Sequence, residues 1–149
     1  MNKKTAGNDH QTVHDEGKQN VLLRVLRGNT FKKTKRSFST FSVPVRRWTT
    51  VLDALIYAKE HSDSSIAIRF SCRMASCGSC GMIINGIPRL ACYTKISELG
   101  YDTVTCEPLP NFPVIRDLVT DFQQFFNHHR YMKPYIENQY PVPREEALS

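Results

Sequence analysis

Residues 71–92 read "SCRMASCGSCGMIINGIPRLAC", and four of the chain's five cysteines fall within them. Cys72, Cys77, Cys80 and Cys92 are spaced C-x4-C-x2-C-x11-C. Four thiols so clustered admit four chemistries: a disulfide framework, a thioredoxin-like redox pair, a zinc site, or an iron–sulfur cluster. A disulfide framework suits a small secreted chain, but this sequence shows no secretory n-region and h-region and its cysteine number is odd. A redox pair at Cys77-Gly78-Ser79-Cys80 requires a strand-to-helix junction; here a hairpin follows. Structural zinc favours two short-spaced pairs on two knuckles, whereas this chain has three cysteines in one loop and a fourth beyond a hairpin.

The triplet C-x4-C-x2-C is the spacing of plant-type two-iron clusters, and a [2Fe-2S] cluster is the expectation over zinc. A loop that wraps a cluster must bring backbone N–H groups close to sulfur, which small residues permit. Gly78 and Gly81 are expected to serve that approach. Ser79 reads either as a hydrogen-bond donor to a sulfur, raising the potential, or as a small filler, and Arg73 as a residue near the cluster or at a partner surface, or as a solvated loop charge. Cys106 shares a strand face with Val104 and is expected to be a buried apolar residue, not a ligand. Cys72, Cys77, Cys80 and Cys92 are the expected metal ligands.

Around this loop the chain of 149 residues suggests one domain. Residues 1–19 hold almost no large aliphatic side chains and read as a mobile tail. Residues 138–149, with two prolines, read as a second tail. Residues 20–110 are expected to form the cluster domain, and residues 111–137 an exit segment with a docking helix. "VLLRVLRG" (21–28) and "SFSTFSVPV" (37–45) alternate as strands of a hairpin, Pro44 placing the second at an edge. "TTVLDALIYAKEH" (49–61) is a helix whose Thr50 and Asp53 stand in capping-box spacing. "SIAIRF" (65–70) alternates as a strand. "MIINGIPRLA" (82–91) is a hairpin turned at Asn85-Gly86, and residues 102–108 form a last strand. A second helix is expected over about residues 115–131, with Leu118, Phe122, Phe125 and Phe126 along one stripe. The fold class is α+β: ββ-α-β-loop-ββ-β with a C-terminal helical appendage.

No run approaches the ~18 apolar residues of a membrane span, and no mitochondrial presequence is evident. The net charge of +6 gathers at Arg24, Arg27, Lys32, Lys33, Lys35 and Arg36. Without interleaved aromatic stacking residues it reads as a solvated basic face rather than a nucleic-acid site. No nucleophile–base pair is evident, so no catalytic residue is expected; His128 and His129 fall late in the second helix.

The loop resembles the N-terminal cluster loop of the iron–sulfur subunit of succinate dehydrogenase and fumarate reductase, respiratory complex II. That family shows C-R-x-[GA]-x-C-G-S-C and a fourth cysteine after a short hairpin. "TTVLDAL" and "EPLPNFPVIRDLVTDFQQFFNHHRYMKPYI" resemble it further, so the likeness runs over about residues 20–137. It implies a β-grasp, ferredoxin-like domain that holds a [2Fe-2S] cluster on Cys72, Cys77, Cys80 and Cys92. It implies electrons arriving from an FAD-containing flavoprotein subunit and leaving through [4Fe-4S] and [3Fe-4S] clusters to quinone, with membrane-anchor subunits as indirect partners. The implied place is peripheral on the mitochondrial inner membrane, matrix side, or the cytoplasmic side of a prokaryotic membrane. Ser76 stands where the family usually has Ile or Val. The family's second cysteine set, C-x2-C-x2-C-x3-C-P, is missing, and the expectation is a split subunit whose separate chain carries the other two clusters. The competing readings are a free-standing [2Fe-2S] ferredoxin and a four-cysteine zinc-binding interaction protein.

Overall fold

The computed structural model describes residues 19–29, 35–100 and 102–136. The expected tails at 1–19 and 138–149 lie outside the described residues, apart from Gln19, which opens the first strand. β1 (Gln19–Arg27) and β2 (Ser37–Val45) pair antiparallel, Val21 opposite Val43 and Val25 opposite Ser39. Period-2 alternation sends Val21, Leu23 and Val25 into the core and leaves Leu22 outside. β2 is an edge strand, which is where Pro44 is tolerated.

α1 (Val51–His61) starts on the expected capping box: Thr50 Oγ1 accepts from Asp53 N at 3.1 Å, and Asp53 Oδ2 accepts from Thr50 N at 3.1 Å. Its apolar stripe, Val51, Leu52, Leu55 and Ala58, is buried against the sheet. β3 (Gly81–Ile84) and β4 (Ile87–Leu90) form the expected hairpin. A short α2 (Ile96–Leu99) leads to β5 (Thr103–Glu107), which runs parallel to β1 and antiparallel to β3. The strand order is β2-β1-β5-β3-β4, with α1 on one face: a β-grasp.

Two expectations are corrected. Residues 65–70 are not a strand. Ile66 is fully buried, as the alternation implied, but the segment pairs with no sheet neighbour. Its backbone is held from the side instead: Lys59 Nζ donates to the carbonyls of Ser64 (2.8 Å) and Ile66 (2.6 Å), and Ala67 N donates to Asp117 Oδ2 (2.9 Å). The second helix, expected from about 115, begins only at Gln123 (α3, Gln123–Met132). Before it lie two short antiparallel strands, β6 (Val114–Arg116) and β7 (Val119–Thr120). Leu118 is therefore a core residue, not part of a helix stripe with Phe125 and Phe126.

Asp117 explains both departures. It sits at φ 49°, left-handed, which ends any helix through it. Its carboxylate, 3 % exposed, accepts from Gly28 N at 3.0 Å and from Ala67 N at 2.9 Å. Asp117 N donates to Gly28 O at 2.7 Å. Arg27 Nε lies 3.2 Å from Asp117 Oδ1, an ion pair without an aligned hydrogen bond. Arg27 also donates to Asp63 and Ser65. The Ser65 hydroxyl, and then that guanidinium, hold the Asp63 carboxyl well below the usual carboxylate range. One acid thus clasps the end of β1, the approach to the cysteine loop and the exit hairpin. Asp117→Ala leaves two amides and a guanidinium without their buried acceptor, and the expected loss is about 3 kcal/mol, read as a lowered midpoint in chemical denaturation.

Candidate metal centre

The loop between residue 70 and β3 is irregular, and its backbone turns left-handed three times: Arg73 (φ 58°), Ala75 (φ 58°) and Gly78 (φ 73°). Such turns aim successive N–H groups at one point, a nest for negative charge. That point is Cys72 Sγ, which accepts from Met74 N (3.4 Å), Ser76 N (3.4 Å) and Cys77 N (3.3 Å). Arg73 and Ala75 hold this shape without being glycine, at on the order of 1 kcal/mol each. Glycine was the sequence signal for close backbone approach, so these two positions carried none.

The two expected glycines serve different needs. Gly78 has open space where a Cβ would stand, and its positive φ is the constraint. At Gly81 a Cβ would lie 3.2 Å from the Gly78 carbonyl oxygen and 3.5 Å from Leu109 Cδ1, so there the constraint is space.

Cys80 immediately precedes β3 and Cys92 follows β4 by one residue. The register Gly81 opposite Leu90, continued by Ala91 N donating to Cys80 O at 3.2 Å, sets Ala91 across from Cys80 and returns Cys92, the next residue, to the base of the loop. Cys77 lies beside Cys72, whose sulfur accepts the Cys77 N–H. Among the described residues no three Cys, His, Asp or Glu side chains converge where one ion could sit.

The cysteines differ electrostatically. Cys80 is buried, and desolvation pushes its thiol up. Cys77 is exposed, and hydrogen bonds from the Ser79 hydroxyl first, then from Cys72, bring its thiol down to about 6. Arg73 faces away toward α1: its guanidinium lies 3.5 Å from Asp53 Oδ1 and over the Phe70 ring. Both partners are about half exposed, so the pair adds little stability. Cys106 is fully buried on β5, and burial pushes its thiol up to about 12. His128 and His129 lie exposed on α3.

Beside Cys77, Gly78 and Ser79 runs a groove of about 470 Å³, walled opposite by Leu109, Phe112, Phe122, Phe125 and Phe126. Phe122 anchors it, edge-on to Phe112 at 4.9 Å and beneath the Arg69 guanidinium at 5.2 Å. No described residue of α3 is buried, and Phe125 and Phe126 are half exposed.

In the metal-free protein, alkylation of Cys77 by iodoacetamide is expected to rise through pH 6 and level off above it, because the thiolate is the reactive form. Cys106 is expected to stay unmodified until the protein is denatured. Peptide mass spectrometry across a pH series checks both.

The sequence profile of the 2Fe-2S iron-sulfur cluster binding domain family matches residues 22–127. The chain is 40 % identical over 127 residues to the fumarate reductase iron-sulfur subunit of Mycobacterium tuberculosis, covering 85 % of this chain and 51 % of that protein. It is 39 % identical over 126 residues to the mitochondrial succinate dehydrogenase [ubiquinone] iron-sulfur subunit of Dictyostelium discoideum, covering 83 % and 44 %. A solved structure, the Mycobacterium smegmatis Sdh1 complex in the apo form, contains a chain that superposes with a TM-score of 0.72 at 33 % identity, over 87 % of this chain and 56 % of that one. The chain spans about half the length of these curated relatives. With the profile running from β1 through the cysteine loop into α3, the chain belongs to the 2Fe-2S iron-sulfur cluster binding domain family.

Proposed function

We propose that this chain is an electron-transfer component of a succinate:quinone or fumarate-reducing complex, complex II. The carrying observation is the nest of backbone N–H groups that meets Cys72 Sγ on the loop bearing Cys77 and Cys80, to whose base the β3–β4 hairpin returns Cys92. A two-iron cluster takes two thiolates on each iron, whereas one zinc ion would draw all four to a single tetrahedral centre. The relatives named as fumarate reductase and succinate dehydrogenase iron-sulfur subunits support the same reading.

Cys72, Cys77, Cys80 and Cys92 would hold the cluster, which when bound supplies one-electron acceptance and release. The chain's own residues do the rest. The N–H groups of Met74, Ser76 and Cys77 balance thiolate charge at Cys72. The Ser79 hydroxyl stabilises negative charge at Cys77 and so favours the reduced state, raising the potential. Burial at Cys80 keeps water from the inner side of the site. In this reading the chain has an electron-transfer role and no substrate chemistry of its own.

The partners follow. An FAD-containing flavoprotein subunit delivers electrons, and a separate chain bearing [4Fe-4S] and [3Fe-4S] clusters takes them onward to quinone. Membrane-anchor subunits are reached indirectly, from a peripheral position on the matrix side of the mitochondrial inner membrane or the cytoplasmic side of a prokaryotic one. Among the described residues no helix is long and apolar enough to cross a membrane. The half-exposed Phe125 and Phe126 beside the cysteine loop are where the onward chain docks.

Two experiments test this. Serine replacement of each of Cys72, Cys77, Cys80 and Cys92 is expected to cut bound iron and acid-labile sulfide to a small fraction, while Cys106→Ser retains both. One zinc per chain and no sulfide in the parent protein would overturn the assignment. Phe125→Asp with Phe126→Asp is expected to leave cluster content unchanged and abolish co-purification with a chain carrying the other clusters. Truncation at residue 114 is the poorer probe, because it also strips Asp117 and Leu118 from the core.

A further inference from the structure

Three arginines are partly buried among the described residues: Arg27, Arg69 and Arg116. Two of them face acids. Arg27 meets Asp63 and Asp117, and Arg116 donates to the Ser65 carbonyl and stands 3.8 Å from Asp117. Arg69 meets none. Its guanidinium lies over the Phe122 ring at 5.2 Å, and among the described residues it makes no hydrogen bond or ion pair. Asp121, next to Phe122 in sequence, instead accepts from Gln123 N at 2.8 Å. A guanidinium carries five N–H donors, and a cation drawn partly out of water without a counter-charge is costly.

This open charge lines the groove beside the cysteine loop. The other lining residues are 77–79 of the loop and five apolar side chains, so the groove holds one cation and no carboxylate. The cation rests on a fixed platform, because Phe122 is itself held edge-on to Phe112 at 4.9 Å. Beyond the groove, Phe125 and Phe126 are half exposed on a helix with no buried described residue. That apolar area extends past anything a small carboxylic acid would cover, and it calls for a protein segment.

We propose that the groove recognises a protein segment that combines apolar side chains with one carboxylate. The apolar groups cover Phe125 and Phe126, and the carboxylate takes the Arg69 guanidinium. The inference rests on the docking reading given above and deepens it: the segment belongs to the chain that takes the electrons onward. The apolar contacts supply area and the charge pair supplies choice. A segment lacking the acid would seal the Arg69 guanidinium into the interface unpaired, and is rejected for that reason.

The test uses the full, cluster-loaded chain, tagged and recovered from its native cells together with what it binds. The parent chain is expected to bring down a chain bearing the second cysteine set, C-x2-C-x2-C-x3-C-P. With Arg69→Gln, bound iron and sulfide are expected to stay at the parent level while the yield of that chain falls about tenfold or more. Arg69→Lys, which keeps the charge, is expected to retain most of the yield. A carbodiimide joins amines to carboxylates. It is expected to link the amine brought by Arg69→Lys to one Asp or Glu of the captured chain, which peptide mass spectrometry then identifies. Changing that acid to Arg is expected to abolish capture by the parent and restore capture by Arg69→Glu. Equal yields from the parent and Arg69→Gln, with no link at that position, overturn the charge recognition and leave the complex II reading intact. A captured chain without the second cysteine set that still links there keeps the recognition and sinks the complex II reading. A link to a second copy of this chain, or to an acid within residues 137–149 of the same chain, overturns the proposal. Should Arg69→Gln lose its cluster, the carbodiimide link to Arg69→Lys decides alone.

Discussion

The register of the β3–β4 hairpin is the constraint on which the site rests. Asn85 and Gly86 both take positive φ, 48° and 80°, as a two-residue turn between antiparallel strands demands. That turn fixes Ile84 opposite Ile87 and Gly81 opposite Leu90, and the next step outward sets Ala91 across from Cys80, with Cys92 the residue after it. A slip of one residue would send Met82 and Ile84 out of the core and carry Cys92 to the wrong face. The turn is pinned against slipping: Asn85 Oδ1 accepts from Thr105 N at 2.7 Å, and Asn85 N donates to Thr105 O at 2.9 Å. Hairpin geometry therefore sets the fourth thiol far more tightly than its separation in sequence from Cys80 suggests.

The opposite end of the loop is positioned by other means. Residues 65–70 reach Cys72 without sheet pairing, so their place depends on side chains from three directions: Lys59 from α1, Asp117 from the exit hairpin, and Asp63 through Arg27 at the end of β1. These contacts are polar and directional, and a buried acid stripped of its partners is costly. The result is a loop anchored at one end by a ladder and at the other by a charge-assisted clasp. Between the anchors the chain can hold left-handed residues, because neither end is free to relax them.

These two anchors explain what was legible in the sequence. The β3–β4 hairpin, the β1–β2 hairpin and the capped α1 were readable because each follows from a local rule: turn chemistry, period-2 alternation, or cap spacing. The cysteine spacing was readable because it is itself a local pattern. The clasp was not, since Asp117 acts on Gly28 and Ala67, far away in sequence. Leu118, the residue after it, instead read as the first of a helical stripe continued by Phe122, Phe125 and Phe126. The alternation of Ile66, Ile68 and Phe70 likewise gave the depth of Ile66 correctly but not the absence of a pairing strand, because alternation reports burial and not hydrogen-bond partners. Arg73 and Ala75 were opaque for a further reason: positive φ at a non-glycine residue is imposed by its surroundings and leaves no mark in residue type.

The same division separates the four thiols. Cys80 and Cys92 sit on the laddered side, one of them buried, and their placement is a consequence of the hairpin and the core. Cys72 and Cys77 sit on the strained side, where the Cys77 N–H reaches the Cys72 sulfur as part of the nest that the left-handed residues form. A site built this way is rigid at its inner half and adaptable at its outer half. The outer half also borders the groove walled by Phe122, Phe125 and Phe126. Pressure from a partner seated there would fall first on Cys77, Gly78 and Ser79, the residues that set the electrostatics of the exposed sulfur, and would leave the buried Cys80 in place.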